Sequence, residues 1–321
     1  MTVLVVVAHP DDEALGFAGV IAHHRAAGRR VRVAVVTNGD ATSYGRLPLR
    51  FCGAPRGRGA SIARFGTCRN RETVDAMQLL GLMWSLEAKA SDVLFLGYPN
   101  YALETIAAAG EPWTDDATGL HQTYALGASW RSCDGDLRYL VDGRHSKLSA
   151  ADLDADVRLL LELTEPADVY THVDFDGHPD HAETSRRVTA ALDALGMEAT
   201  VHATLIHPES SGGRMFDSAN EWPNPADAEV SSPFDRFTPQ LGFEPPPPSW
   251  GPLGAPNELV EVPAAMADLD PARNLKWQVI SRHASQIVCR PNRDGTFHAS
   301  CGYMRAFVKR HEFFWTQPAR A

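Results

Sequence analysis

Thr2-Val3-Leu4-Val5-Val6-Val7-Ala8-His9-Pro10-Asp11-Asp12-Glu13 is the stretch that decides the fold. It opens with an unbroken run, rich in β-branched residues, the pattern of a strand buried on both faces of a parallel sheet. A histidine and three carboxylates then crowd into five positions where that strand hands over to a helix. Carboxylates suit a first helical turn because they meet the positive end of the helix dipole. Leu15, Ile21 and Ala22 give the helix an apolar side, and Gly28 ends it. A second strand over 31–36 closes a βαβ unit. In an open α/β sheet, ligands bind at the carboxyl ends of the strands, which is where this acidic turn falls.

Further along, the pattern predicts a helix over 69–80, stopped by Gly81, and a third strand over 92–96 that turns away at Gly97-Tyr98-Pro99-Asn100. Ser149 caps a helix through 152–163, whose Leu153, Val157, Leu160 and Leu161 fall at helical spacing. A fourth strand over 167–172 leads into Asp176-Gly177-His178-Pro179-Asp180-His181. A helix over 179–195 follows, with Pro179 in its first turn, then a fifth strand over 199–206 and a closing helix over 271–285. Strands alternating with helices predict an α/β fold, a Rossmann-like three-layer sandwich with a mainly parallel sheet and long loop insertions. One domain over 1–321 is expected, with irregular insertions at about 40–68, 101–148 and 207–262.

Composition narrows the partners. The chain has 321 residues, 44% of them apolar and 22% charged, which is ordinary for a soluble globular protein. A formal net charge of −10 argues against nucleic acid or an anionic membrane as partner. Cys52, Cys68, Cys133, Cys289 and Cys301 are odd in number and form no C-x-x-C pair, so reduced thiols are expected, with a Cys52–Cys68 pairing left open. No basic leader precedes the first apolar run and no stretch has the length of a membrane span. A soluble, cytoplasmic protein is expected, whether monomer or homo-oligomer.

Each acidic cluster has a bland explanation when taken alone. The first is also what a proline turn with helix-capping carboxylates looks like, and His178 with His181 could sit on a solvated first turn. Both clusters, however, follow strands of one parallel sheet and so fall on one edge of it. Together they predict a single metal site. Imidazole and carboxylate are zinc ligands, and a catalytic zinc keeps one position open for water. Two histidines and one aspartate would bind the ion, with Asp11 and Asp12 dividing the roles of ligand and free base.

His-Pro-Asp-Asp-Glu after the first strand, with Gly-His-Pro-Asp-His late in the chain, resembles the LmbE-like (PIG-L) family of zinc-dependent N-deacetylases. That family includes the N-acetylglucosaminyl-phosphatidylinositol de-N-acetylases, thiol-pathway deacetylases and antibiotic-tailoring deacetylases. The resemblance implies one Zn2+ per chain, held by His9, Asp12 and His181, with other divalent metals left open. It implies Asp11 as general base, and His178 as the group that stabilises the oxyanion and protonates the leaving amine. Arg69 and Glu72 match an R-x-x-E pair, which implies that Arg69 reaches the active site and holds substrate or the acidic residues. Lys276, His283-Ala284-Ser285-Gln286 and Glu312-Phe313-Phe314 match the family's C-terminal pattern and are read as structural.

Rival readings fare less well. The first turn lacks G-x-G-x-x-G, and its carboxylates would repel a pyrophosphate. A metallo-phosphoesterase usually needs two metals and more ligands. A catalytically inactive sugar-binding protein of the same fold, or a mononuclear amidase acting on a non-sugar amide, remain the alternatives. The expected partner is a small N-acetyl amino sugar or glycosylated metabolite, with no stable membrane association. Asp174-Phe175-Asp176 lacks the tyrosine that some thiol-pathway members carry two residues before the His178 equivalent, which weighs against that pathway. Tyr98, Trp130, Trp222 and Trp250 are aromatic candidates for stacking on a sugar or for packing loops down.

Overall fold

The computed structural model describes residues 1–40, 58–115, 119–129, 132–207, 256–268, 270, 272–287, 304, 307–308 and 311–317, with side chains from 62 onward in the second segment. Thr2–Val7 forms β1, and Val3 to Val7 are completely buried. β1 pairs in parallel with β2 (Arg30–Thr37) on one side and β4 (Pro166–His172) on the other. β3 (Val93–Tyr98) extends the sheet beyond β2, and β5 (Thr200–Thr204) extends it beyond β4, both in parallel. Two antiparallel strands finish it, giving the order β3-β2-β1-β4-β5-β7-β6, with β6 at Glu258–Glu261 and β7 at His311–Gln317. From β1 the chain first builds outward through β2 and β3, then returns to add β4 on the other side. The carboxyl ends of β1 and β4 therefore flank the point where the strand order reverses, the place where sheets of this kind open a crevice.

The alternation along β1 sorts the two helical layers. Val3, Val5 and Val7 face a layer with α1 (Asp12–Gly16), α2 (Ala18–Ala26), α3 (Arg58–Leu79) and α8 (Leu275–Ile280), where Phe17, Ile21, Met77 and Val279 are buried. Leu4 and Val6 face α4 (Leu103–Ala108), α5 (Leu137–Asp142), α6 (Ala150–Thr164) and α7 (Pro179–Leu195), against Leu103, Leu137, Leu160 and Val188. Each such side chain, fully withdrawn from water, contributes about 1.5–3 kcal/mol. The sheet is thus held rigid on both faces, and the edge carrying the two acidic turns is fixed by it.

Several elements differ from expectation. The first helix is not continuous but breaks at Phe17, between α1 and α2. The new helix start is satisfied from a distance, because Glu312 on β7 accepts the Gly19 N–H (2.7 Å) and the Val20 N–H (2.8 Å). Lys276 Nζ lies 2.6 Å from the same carboxylate and compensates its buried charge. α3 starts at Arg58, well before 69. Gly66 disguises this in the sequence: a Cβ there would lie 2.4 Å from the Tyr124 hydroxyl, so the helix carries a glycine for close approach. β3 runs on through Gly97 to Tyr98, the closing helix is only six residues long, and β7 was not foreseen.

Cys68 corrects the expectation of reduced thiols. It is disulfide-bonded, whereas Cys133 is free. A pair without C-x-x-C spacing leaves no local pattern to read. Among the described residues, no helix is long and apolar enough to cross a membrane.

Candidate active site

The turn after β1 is built by its own carboxylates. The His9 N–H donates to Asp12 Oδ2 (2.8 Å), which folds the turn back on itself before α1 begins. Asp11 then sits at φ 120°, in a region L-residues rarely adopt. Such a conformation costs about 1–3 kcal/mol and persists only where neighbours enforce it. Here the Asp11 N–H donates to Glu13 Oε2 (2.9 Å), and Glu13 Oε1 lies 2.9 Å from His283 Nε2. The C-terminal segment thus holds the turn from behind.

The turn after β4 is organised by Asp176 and Asp180. The Asp176 carboxylate accepts N–H bonds from His178 (2.9 Å), Ile206 (2.9 Å) and His207 (3.1 Å), joining the ends of β4 and β5. His178 caps α7, its Nδ1 accepting the Asp180 N–H at 3.2 Å, with Pro179 at the first helical position. That leaves the neutral His178 ring with its proton on Nε2. Asp180 is completely buried and accepts the N–H groups of Tyr101 (2.6 Å) and Leu103 (3.1 Å).

The three expected ligands converge. His9 Nδ1 is 2.9 Å from His181 Nε2 and 3.3 Å from Asp12 Oδ2, and His181 Nε2 is 3.1 Å from Asp12 Oδ2. Metal–ligand bonds of about 2.0–2.1 Å would set neighbouring donors of a tetrahedral zinc about 3.3–3.4 Å apart. The spacing found is close to that. The rear nitrogen of each imidazole faces a carboxylate, His9 Nε2 at 3.2 Å from Asp180 Oδ2 and His181 Nδ1 at 3.3 Å from Asp176 Oδ2. Carboxylates behind metal-binding imidazoles fix the tautomer and make the ring a better donor. The donor set and its backing therefore fit a divalent metal ion.

The electrostatics agree with the geometry. Burial disfavours a cationic His181, yet Asp12 and Asp176 outweigh it and raise the ring to about 10, so these two carboxylates favour positive charge at that position. Burial likewise opposes ionisation of Asp176, but His181 and His207 hold its carboxyl at about 2. The donor atoms of His9, His178 and His181 lie within 4.8 Å of one another, as do those of Asp12, His181 and His207.

Asp11 stands beside this cluster without joining it. Its Oδ2 is 2.9 Å from Arg69 Nη2, and Arg69 also donates to the carbonyls of Gly39 (2.7 Å) and Pro10. Burial pushes the Asp11 carboxyl up to about 6, against the pull of Arg69. Arg69 thus meets the acidic turn, one of the two roles open to it. Its companion Glu72 accepts instead from Ser285, from N–H at 2.8 Å and from Oγ at 2.6 Å. The His178 ring centroid lies 4.4 Å from that of His9 and 4.9 Å from that of His181.

Sequence reading assigned no role to Asp176, Asp180, His172, Tyr101 or His207. The two aspartates lay inside the quoted second cluster, and carboxylates beside ligand histidines were the available signal. His172 stacks on His181 at 3.9 Å, while its Nε2 accepts the Ala8 N–H at 2.9 Å, so it fastens β4 to the first turn. His207 follows β5 as His9 follows β1, a parallel that only the strand order makes visible. Tyr98 packs, being buried with its hydroxyl donating to Asp156 (2.8 Å). Trp130, Trp222 and Trp250 lie outside the described residues.

Solved structures with a similar arrangement include the A40926 pseudoaglycone deacetylase Dbv21, 16% identical over 99% of this chain and 98% of that one, with a TM-score of 0.48. The N,N'-diacetylchitobiose deacetylase from Pyrococcus horikoshii is 16% identical over 99% and 84% of the two chains, with a TM-score of 0.49. GalB, a 4-carboxy-2-hydroxymuconate hydratase from Pseudomonas putida, is 13% identical over 100% and 97%, with a TM-score of 0.46. Likenesses this distant bear on neither substrate nor activity. No curated protein matches the sequence. The sequence model of the PIG-L family, described as GlcNAc-PI de-N-acetylase, matches residues 4–192, which contain both acidic clusters and Arg69, and this chain belongs to that family of deacetylases.

Proposed function

We propose that the chain is a zinc-dependent hydrolase that removes an acetyl or related acyl group from the amide nitrogen of an amino sugar or an amino-sugar-containing metabolite. The observation that carries this reading is the convergence of His9 Nδ1, Asp12 Oδ2 and His181 Nε2 within 3.3 Å, with Asp11 alongside and engaged by Arg69. His9, Asp12 and His181 would hold the ion. Zinc in such a set supplies Lewis acidity, making a water acidic near neutral pH and polarising an amide carbonyl.

The chain's own groups supply the rest. Asp11 accepts a proton from the attacking water, and Arg69 fixes the direction in which its carboxylate points. His178, with Nδ1 occupied by the Asp180 N–H, presents Nε2–H to the amide oxygen as negative charge develops there. Burial, with His9 and His181 nearby, pushes the protonated form of His178 strongly down in favour of a neutral ring. The proton taken from water then passes to the departing nitrogen, and the products are a carboxylate and an amine.

The test is release of primary amine from N-acetylglucosamine, its methyl β-glycoside, N,N'-diacetylchitobiose and the acyclic N-acetylethanolamine, with zinc-loaded and chelator-treated protein in parallel. Release that disappears with chelator and is faster for the sugars supports the proposal. Equal rates on the acyclic amide would remove the sugar from it. No release from any of the four would overturn it for small N-acetyl substrates.

A further inference from the structure

Tyr101 combines three features that no packing role requires together. It is 55% exposed, whereas His9, Asp12, His178, Asp180 and His181 beside it are buried. Its backbone is left-handed, at φ 59°, a conformation that glycine adopts freely and tyrosine does not. Its ring centroid lies 4.4 Å from that of His178, a member of the cluster.

The turn that carries Tyr101 is held by groups other than its ring. The Asn100 N–H donates to Asp40 Oδ1 (2.8 Å), and the Tyr101 N–H is shared between Asp180 Oδ2 (2.6 Å) and Asn100 Oδ1 (3.0 Å). Asp180 is also the carboxylate behind His9. One side chain therefore fixes the position of the exposed ring relative to the cluster. Strained, non-glycine backbone of this kind gathers where a side chain is needed in one place.

We propose that Tyr101 is the platform on which the substrate's sugar ring rests while its N-acyl group enters the cluster. An aromatic face carries partial negative charge and complements the C–H edge of a pyranose, which an acyclic amide lacks. The inference rests on the hydrolase reading above and adds to it a residue that selects for the ring.

The decisive variant is Tyr101→Gly, with Tyr101→Phe beside it. Relief of the backbone strain should leave the thermal midpoint unchanged or raise it by up to about 2 °C. KM for methyl N-acetyl-β-glucosaminide should rise about three- to tenfold with kcat little altered, whereas N-acetylethanolamine should respond weakly, and Tyr101→Phe should resemble wild type. A midpoint several degrees lower would make Tyr101 a packing residue and overturn the proposal. So would equal KM changes for the sugar and the acyclic amide. If wild-type protein hydrolyses none of the four compounds tested above, the hydrolase reading fails on its own, and calorimetric titration with methyl N-acetyl-β-glucosaminide still decides the platform. Tighter binding to wild type than to Tyr101→Gly sustains it, and equal or absent binding overturns it.

Discussion

Two clusters of histidine and carboxylate sit at opposite ends of the same sheet. One joins the carboxyl ends of β1 and β4. The other lies near the amino ends of β4 and β5, where His202 Nδ1 is 2.6 Å from Glu258 Oε2 and His202 Nε2 is 3.3 Å from Asp168 Oδ1. There the His202 ring stacks on Tyr170 at 4.3 Å, His24 Nε2 lies 2.9 Å from the Tyr170 hydroxyl, and Arg29 pairs with Asp168. Residue types are nearly the same in the two places, but their directions differ. In the second cluster both nitrogens of one ring face acids and the Arg29 guanidinium is taken up by Asp168, so the donors point at one another and not at a shared point. In the first, single lone pairs from three residues meet at one point while each rear nitrogen is backed by an acid. Every convergent trio of donors found among the described residues includes His181. Convergence, more than composition, distinguishes a metal site from an ion-pair network.

The comparison breaks most sharply at the two histidines. His181→Ala should remove bound metal and lower kcat/KM by about 10³ or more, while His202→Ala should keep metal content and kcat within about twofold. Metal analysis and initial rates on both variants check this. Equal metal loss in the two would mean that the geometric distinction is wrong.

Next in size is Asp11→Asn, for which kcat should fall about 10²–10⁴-fold with metal retained, because the variant cannot accept a proton. The pH profile carries the same information. Asp11 must be ionised to act, and burial raises its carboxyl to about 6, so activity should climb from the acid side through about pH 6. A profile flat from pH 4.5 to 7.5 would assign the base elsewhere.

His178 divides the donor role from the acid role. With hydrogen-bond donation as its function, His178→Ala should cost about 10²–10³-fold in kcat, and His178→Gln, which keeps an N–H, should recover part of that. If glutamine fails as badly as alanine, a whole proton passes through His178. The smallest effect expected is for Asp180→Asn, with a 10–100-fold weaker metal affinity, roughly, from loss of the acid behind His9, read by competition with a chelator.

Local pattern carried the parts of the fold where it and burial agree. β1 is apolar on both sides, α6 has Ser149 accepting the Asp152 N–H at 3.1 Å, and α7 begins at Pro179 and ends at Gly196 with φ 60°. Each could be read from a few adjacent residues. The departures share the opposite property. Gly66 breaks the helical pattern of α3 because Tyr124, far along the chain, needs its space. α2 starts where Glu312 supplies the acceptors, and β7 forms because β5 and β6 offer edges to pair with. The site divides in the same way. His9, Asp12 and His181 were legible as motif residues, whereas Tyr101 and His207 reach the cluster only through strand order and a turn held by Asp180 and Asp176.

The catalytic turn leans on the far end of the chain. His9, Asp12 and His181, the proposed metal donors, all lie before residue 182, yet the groups that brace the start of α2 and the Asp11 backbone are Glu312, paired with Lys276, and His283. During synthesis on the ribosome, a chain that has emerged as far as residue 270 has every donor in hand and none of these three props. Completion of the site is therefore tied to translation of residues 276–312, and a polypeptide terminated before them would carry both motifs intact while lacking the contacts that keep Asp11 in place.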